Sequence, residues 1–168
     1  MAAVSVSGSQ AAGGRAGEDE VTGVGRDGVA PWTLGDIERA IRSSWAADTC
    51  SPDDAARAEW TAENPAWGHC DITTLVVHDL LGGDLLLGEV YLDGEQHGYH
   101  WWNRLPSGIE IDLTQDQFRR GQLVSGRRPV ERPAGRLPRR WEEYRRLRSR
   151  VGEKLGGPWA RGGVSGRS

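Results

Sequence analysis

Cys70, His100 and Asp112 are a thiol, an imidazole and a carboxylate in that order along a chain of 168 residues. Together they carry the chemistry of an activated nucleophile: the imidazole takes the thiol proton, and the carboxylate fixes the tautomer and orientation of the imidazole. Cys70 opens the apolar run "CDITTLVVHDLL", which ends on Gly82 and Gly83. At the start of a helix its sulfur lies near unpaired N–H groups and the positive end of the dipole. Such positions lower a thiol from about 8.5 toward about 3.5–7.5. An N–H at the same helix start can stabilise an oxyanion. His97 lies three residues before His100, so strand alternation lets at most one of the two face Cys70.

These residues need a helix and two neighbouring strands to hold them. Ile72, Leu75, Val76, Val77, Leu80 and Leu81 fall on several sides of the run that Cys70 opens, which predicts a mostly buried helix over 70–81. The two glycines stop it. "DLLLGEVYL", "HGYHWWNRL" and "IEIDLT" follow as three short strands separated by "DGEQ" and "PSG". Links that short predict an antiparallel meander with His100 in its second strand and Asp112 in its third. Upstream, "PWTLGDIERAIRSSW" reads as an amphipathic helix capped by Thr33 and Asp36, with Leu34, Ile37, Ile41 and Trp45 on one face. Residues 46–66 read as a long loop containing Cys50, to which no role is assigned. Downstream, Thr114 and Gln117 form a capping box for a short helix, and 139–155 form a terminal helix with Trp141, Tyr144, Leu147 and Val151 as its stripe. The expected class is α+β.

Composition bounds the partners. Residues 1–30 and 156–168 are Gly-rich, small and polar, and are expected to be disordered tails around one α+β domain at 31–155. No apolar stretch reaches membrane-spanning length, no leader pattern is seen, and two cysteines build no disulfide framework. The expected location is therefore cytoplasmic. Residues 119–150, read as an Arg-rich loop and helix, hold 12 Arg against three Glu, or +9 in a chain of net charge −3. The remainder thus carries −12. A solvated face that offsets the acidic remainder is expected rather than a nucleic-acid site, and the segment is a candidate surface for a protein partner. His69, Cys70, His78, His97, His100 and Asp112 match no compact zinc spacing, so neither a metal nor a cofactor is expected.

The same residues carry a resemblance. The order Cys, His, Asp on a helix start and two adjacent strands resembles the papain and transglutaminase-like fold class. More closely, "SSWAADTC", "ENPAWGHCDITTLVVHDLLGGDLL" and "YHWWNRLPSGIEIDLTQDQF" resemble the YunG-like family of small bacterial proteins over residues 34–120, about half the chain. That family shows "GQC" before the helix, "H-x-W-N" and "iDLT..QF". Cys70, His100 and Asp112 stand at its matching positions, while His69 replaces the family Gln. The resemblance implies a papain/transglutaminase-like α+β fold, a buried Cys-bearing helix packed on a small antiparallel sheet.

The expected activity is acyl transfer, or amide or thioester hydrolysis, on a small-molecule or peptide substrate. Cys70 is the nucleophile, His100 the base and Asp112 the orienter. Trp60, Asn64, Trp67, His69 and Trp102 are the expected pocket lining. Plainer roles stand beside these: a small buried hydrophobe for Cys70, a satisfied core histidine for His100, a turn cap for Asp112. They lead to a non-catalytic binding module with a Trp-lined cleft, or to a tailoring enzyme without a covalent intermediate.

Overall fold

The structure is a computed structural model that describes residues 32–135 and 139–156. The expected tails at 1–30 and 156–168 lie outside the described residues, Gly156 excepted. Among the described residues four helices and four strands follow in the order α1 (Leu34–Arg42), α2 (Pro52–Ala55), α3 (Cys70–Leu81), β1 (Asp84–Leu92), β2 (Glu95–Arg104), β3 (Glu110–Ile111), β4 (Leu123–Val130) and α4 (Trp141–Leu155). Short 3-10 turns occupy Ala47–Thr49 and Gln115–Gln117. The class is α+β.

The capping box of α1 forms as its sequence dictates: the Asp36 N–H donates to Thr33 Oγ1 at 3.1 Å, and the Thr33 N–H donates to Asp36 Oδ2 at 3.0 Å. The helix stops at Arg42, earlier than the stripe suggested. Trp45 is buried from beyond its end and donates its indole N–H to Thr73 Oγ1 at 3.0 Å. Ile37 and Ile41 of α1, Ile72, Val76 and Val77 of α3, and Leu147 and Val151 of α4 form the core between the helices. Each such side chain contributes about 1.5–3 kcal/mol on leaving water.

α3 packs on β2 and α4. It passes into β1 through Gly82 and Gly83, and the second of these is sterically required. Gly83 has φ +87, and a Cβ there would fall 2.1 Å from the Arg104 carbonyl oxygen at the end of β2.

The sheet has the order β3-β2-β1-β4 and is antiparallel throughout. The meander expected of the first three strands is present, with the third cut to two residues. β4 returns across it to the free edge of β1, giving a Greek-key order. β4 corrects the reading of 119–150 as loop and helix alone. Seven of its eight residues are exposed, so no buried alternation marks it in the sequence. The capping box expected at Thr114 and Gln117 is also absent. The Thr114 hydroxyl donates to Asp112 instead, and one 3-10 turn replaces the short helix.

Candidate active site

Cys70 occupies the first position of α3. It lines a cavity of about 380 Å³ with Trp67, Asp71, Trp101, Gln117, Phe118 and Arg140 among the walls. The environment of its sulfur reverses the expectation of a lowered pKa. Burial, and next the carboxylate of Asp71, push the thiol up to about 12, against the pull of the Trp101 N–H and the Arg140 guanidinium. The helix end acts on Asp71 rather than on the sulfur. Asp71 accepts the Ile72 N–H at 2.8 Å, and Arg140 Nη1 grips both its oxygens at 2.8 and 3.0 Å. Arg140 Nη2 also donates to the carbonyls of Thr49 and Gly68. It thereby ties the start of α4 to the two segments that precede α3.

His100 is 1 % exposed and is held on every side. Its Nε2 lies 2.7 Å from Asp112 Oδ2, and its Nδ1 lies 2.9 Å from the carboxamide nitrogen of Gln117. The ring stacks on Trp102, with centroids 5.8 Å apart, and meets the edge of Phe118 at 4.6 Å. Asp112 is fixed in turn, since its Oδ1 accepts from the Thr114 N–H at 2.9 Å and from the Thr114 hydroxyl at 3.1 Å. A carboxylate at Nε2 and an amide NH2 at Nδ1 select the Nε2–H tautomer. The basic lone pair is therefore on Nδ1. Gly88 lies opposite His100 in β1, where a Cβ would fall 3.1 Å from the Trp102 ring and 2.9 Å from the Gly126 carbonyl.

The structure thus joins His100 to Asp112 and sets Cys70 apart from both. Among the described residues no hydrogen bond joins Cys70 to His100. Neighbours in β2 face opposite ways. Trp101 lines the Cys70 cavity, whereas His100, Trp102 and Asp112 line an open groove of about 750 Å³ with Glu110 and Arg127. Gln117 belongs to the cavity wall and reaches His100.

The expected pocket lining is corrected in the same way. Trp67 lines the Cys70 cavity, but Trp102 lines the His100 groove. Trp60 donates its indole N–H to Pro65, and Asn64 closes a turn with Thr61 and Trp67, so both organise the approach to α3 from outside the cavity lining. His69 is a fully buried tie rather than part of the cavity lining. Its Nδ1–H donates to the Trp67 carbonyl at 2.8 Å, and Nε2 lies 2.8 Å from the Thr49 hydroxyl. Cys50 is no free loop thiol either: it is buried against the Trp67 carbonyl, and burial pushes it up to about 11.

Gln117 and Arg140 were missed as site residues. Gln117 carried a signal in "DLTQDQF", where it was read as a helix cap. Arg140 carried none, as one of 12 arginines within residues 119–150. The Arg-rich segment is largely paired with acids: Arg127 with Glu110, Arg132 with Asp79, Arg139 with Asp53 and Arg150 with Asp48. No helix among the described residues is long and apolar enough to cross a membrane.

Burial lowers His69 from its ordinary 6.5 to about 4, so the folded state keeps it neutral. Between those values the unfolded chain binds a proton that the folded chain refuses. The contribution is complete above pH ~6.5 and is lost as pH falls toward 4, up to about 3 kcal/mol in all. His69→Gln, which installs the residue shown by the resembling family, is expected to remove this slope. Urea unfolding of both proteins from pH 4 to 7 measures it, and parallel stability curves would count against it.

A relative, the uncharacterized protein YunG of Bacillus subtilis (strain 168), is 27% identical over 112 residues, covering 67% of this chain and 85% of that protein. No solved structure matches the fold. The YunG protein family matches residues 33–156, a span that contains Cys70, His100, Asp112, Gln117 and Arg140. The chain belongs to the YunG family.

Proposed function

We propose that the protein is a cysteine-dependent acyl-transfer enzyme, or an amide or thioester hydrolase, on a papain/transglutaminase-like scaffold. The observation that supports this reading is the 2.7 Å contact of His100 Nε2 with Asp112 Oδ2. Asp112 holds the Nε2 proton, which leaves on Nδ1 the lone pair a general base requires. In the reaction, a water that bridges the gap between the thiol and the ring relays the Cys70 proton to Nδ1, and the thiolate adds to the acyl carbon. Nδ1–H then protonates the leaving amine or thiol as the tetrahedral intermediate collapses to a thioester. Water or an amine, deprotonated by the same nitrogen, releases the acyl group and restores the thiol. The substrate is a small molecule or peptide whose acyl end enters the Cys70 cavity.

The second reading is a binding module using that cavity. It is favoured by the neutral, half-buried thiol and by the engagement of both His100 nitrogens.

Incubation with p-nitrophenyl acetate, read by peptide mass spectrometry, separates the two. The enzyme reading expects an acetyl adduct on Cys70 that is absent in Cys70→Ser and forms about 10²–10⁴-fold more slowly in His100→Ala. An adduct indifferent to His100, or none, leaves the binding module.

A further inference from the structure

Gln117 has no part in the mechanism just written, yet it stands where that mechanism must act. It closes the 3-10 turn Gln115–Gln117, is 8 % exposed, and lines the cavity of Cys70. Its carboxamide nitrogen nevertheless reaches 2.9 Å to Nδ1 of His100, the nitrogen that would take the thiol proton. Nε2 carries its proton toward Asp112, so Nδ1 can only accept, and the carboxamide must present its NH2 to the ring. Phe118, the next residue, closes the other approach to the imidazole.

We propose that Gln117 is a positioning residue of the Cys70 site: its carboxamide caps the basic nitrogen of His100 and withholds it from the thiol until a ligand in the cavity displaces it. This rests on the acyl-transfer reading. A carboxamide suits the task for two reasons. It is uncharged, so it does not force a second proton onto the imidazole. It can also rotate half a turn and accept through its oxygen from Nδ1–H once His100 has taken the thiol proton. Displacement breaks one hydrogen bond, which a ligand in the same cavity can replace. The other ionisable groups do not substitute for the cap. Asp112, Glu110 and Arg127 face the groove side of His100. Asp53, Asp54 and Asp71 line the Cys70 side against Arg57, Arg139 and Arg140, with His97 also in that lining.

The test is iodoacetamide alkylation of Cys70 from pH 6 to 9 in the full chain, read by peptide mapping. Gln117→Met fills a similar volume without the amide. It is expected to alkylate at least tenfold faster at pH 7, and the gain must vanish in Gln117→Met/His100→Ala. Gln117→Glu is expected to hold a proton on each ring nitrogen of His100 at pH 7, visible in the ring ¹⁵N shifts, a signature that loosened packing does not produce. Should the Met variant not fold, Gln117→Asn, too short to reach the ring, takes its place. An unchanged alkylation profile overturns the proposal, and so does a gain that persists without His100. If His100→Ala slows acetylation of Cys70 while Gln117→Met leaves alkylation untouched, the positioning role falls and the acyl-transfer reading stands. If neither substitution matters, both fall.

Discussion

Under the proposed acyl-transfer function, Asp112→Asn is expected to lower acyl transfer from Cys70 by about 10⁴-fold while leaving the fold in place. The size follows from how Asp112 is held. Its Oδ1 accepts from the backbone N–H and hydroxyl of Thr114, and its Oδ2 accepts from His100. Asparagine has one acceptor oxygen, and the Thr114 N–H has to have it. The new NH2 group then faces Nε2 of His100, which must give up its proton to accept. The proton moves to Nδ1, and the imidazole becomes a donor on the side where the mechanism needs a base. Gln117 can follow by rotating its oxygen toward the ring, so packing survives and only the tautomer is wrong. Ring ¹⁵N shifts read the tautomer directly, and the rate of p-nitrophenyl acetate turnover reads its consequence. A variant with full turnover would remove Asp112 from the mechanism.

Arg140→Met is expected to have the largest effect on stability, about 2–4 kcal/mol. Removing one partner of a buried ion pair costs about 3–5 kcal/mol. Asp71 keeps a third of its side-chain exposure, which screens part of that. The loss extends beyond the pair, since the carbonyls of Thr49 and Gly68 lose their donor together with the carboxylate. Arg140→Lys recovers little, because an ammonium has no planar fork to reach a carboxylate and two carbonyls at once. Asp71→Asn in the Arg140→Met background recovers part of the loss by removing the stranded charge. It also eases ionisation of Cys70, against which the Asp71 charge acts. Urea midpoints of the four proteins measure the first effect and alkylation of Cys70 against pH the second. Equal midpoints for the wild type and Arg140→Met would refute the clamp.

How much of this was legible depends on range. The bounds of α3 and β1 follow from local pattern: apolar residues on several sides stopped by two glycines, then a run that ends in a tight turn. The contact between His100 and Asp112 was legible because one short turn makes β3 the neighbour of β2, and Asp112 follows directly on β3. β4 was hidden because an exposed edge strand has no buried face to print an alternation. Gln117 was visible as a polar residue in a turn, but only the fold reveals that its amide meets an imidazole 17 residues away. The reversal at Cys70 was out of reach for a similar reason. The carboxylate that opposes ionisation of the sulfur is held beside it by Arg140, 69 residues from Asp71.

That separation bears on the order in which the chain is made. At about 5–20 residues per second, roughly 3–14 s of translation pass between Asp71 and Arg140. The hairpin of β1 and β2, and with it His100, has all its residues long before the clamp on α3 can close. During that interval β1 lacks its β4 neighbour, and the carboxylate beside Cys70 lacks its guanidinium. A nascent chain therefore carries its thiol in an unfinished setting until the last helix emerges, and a message cut short before Arg140 would yield a protein that never leaves it.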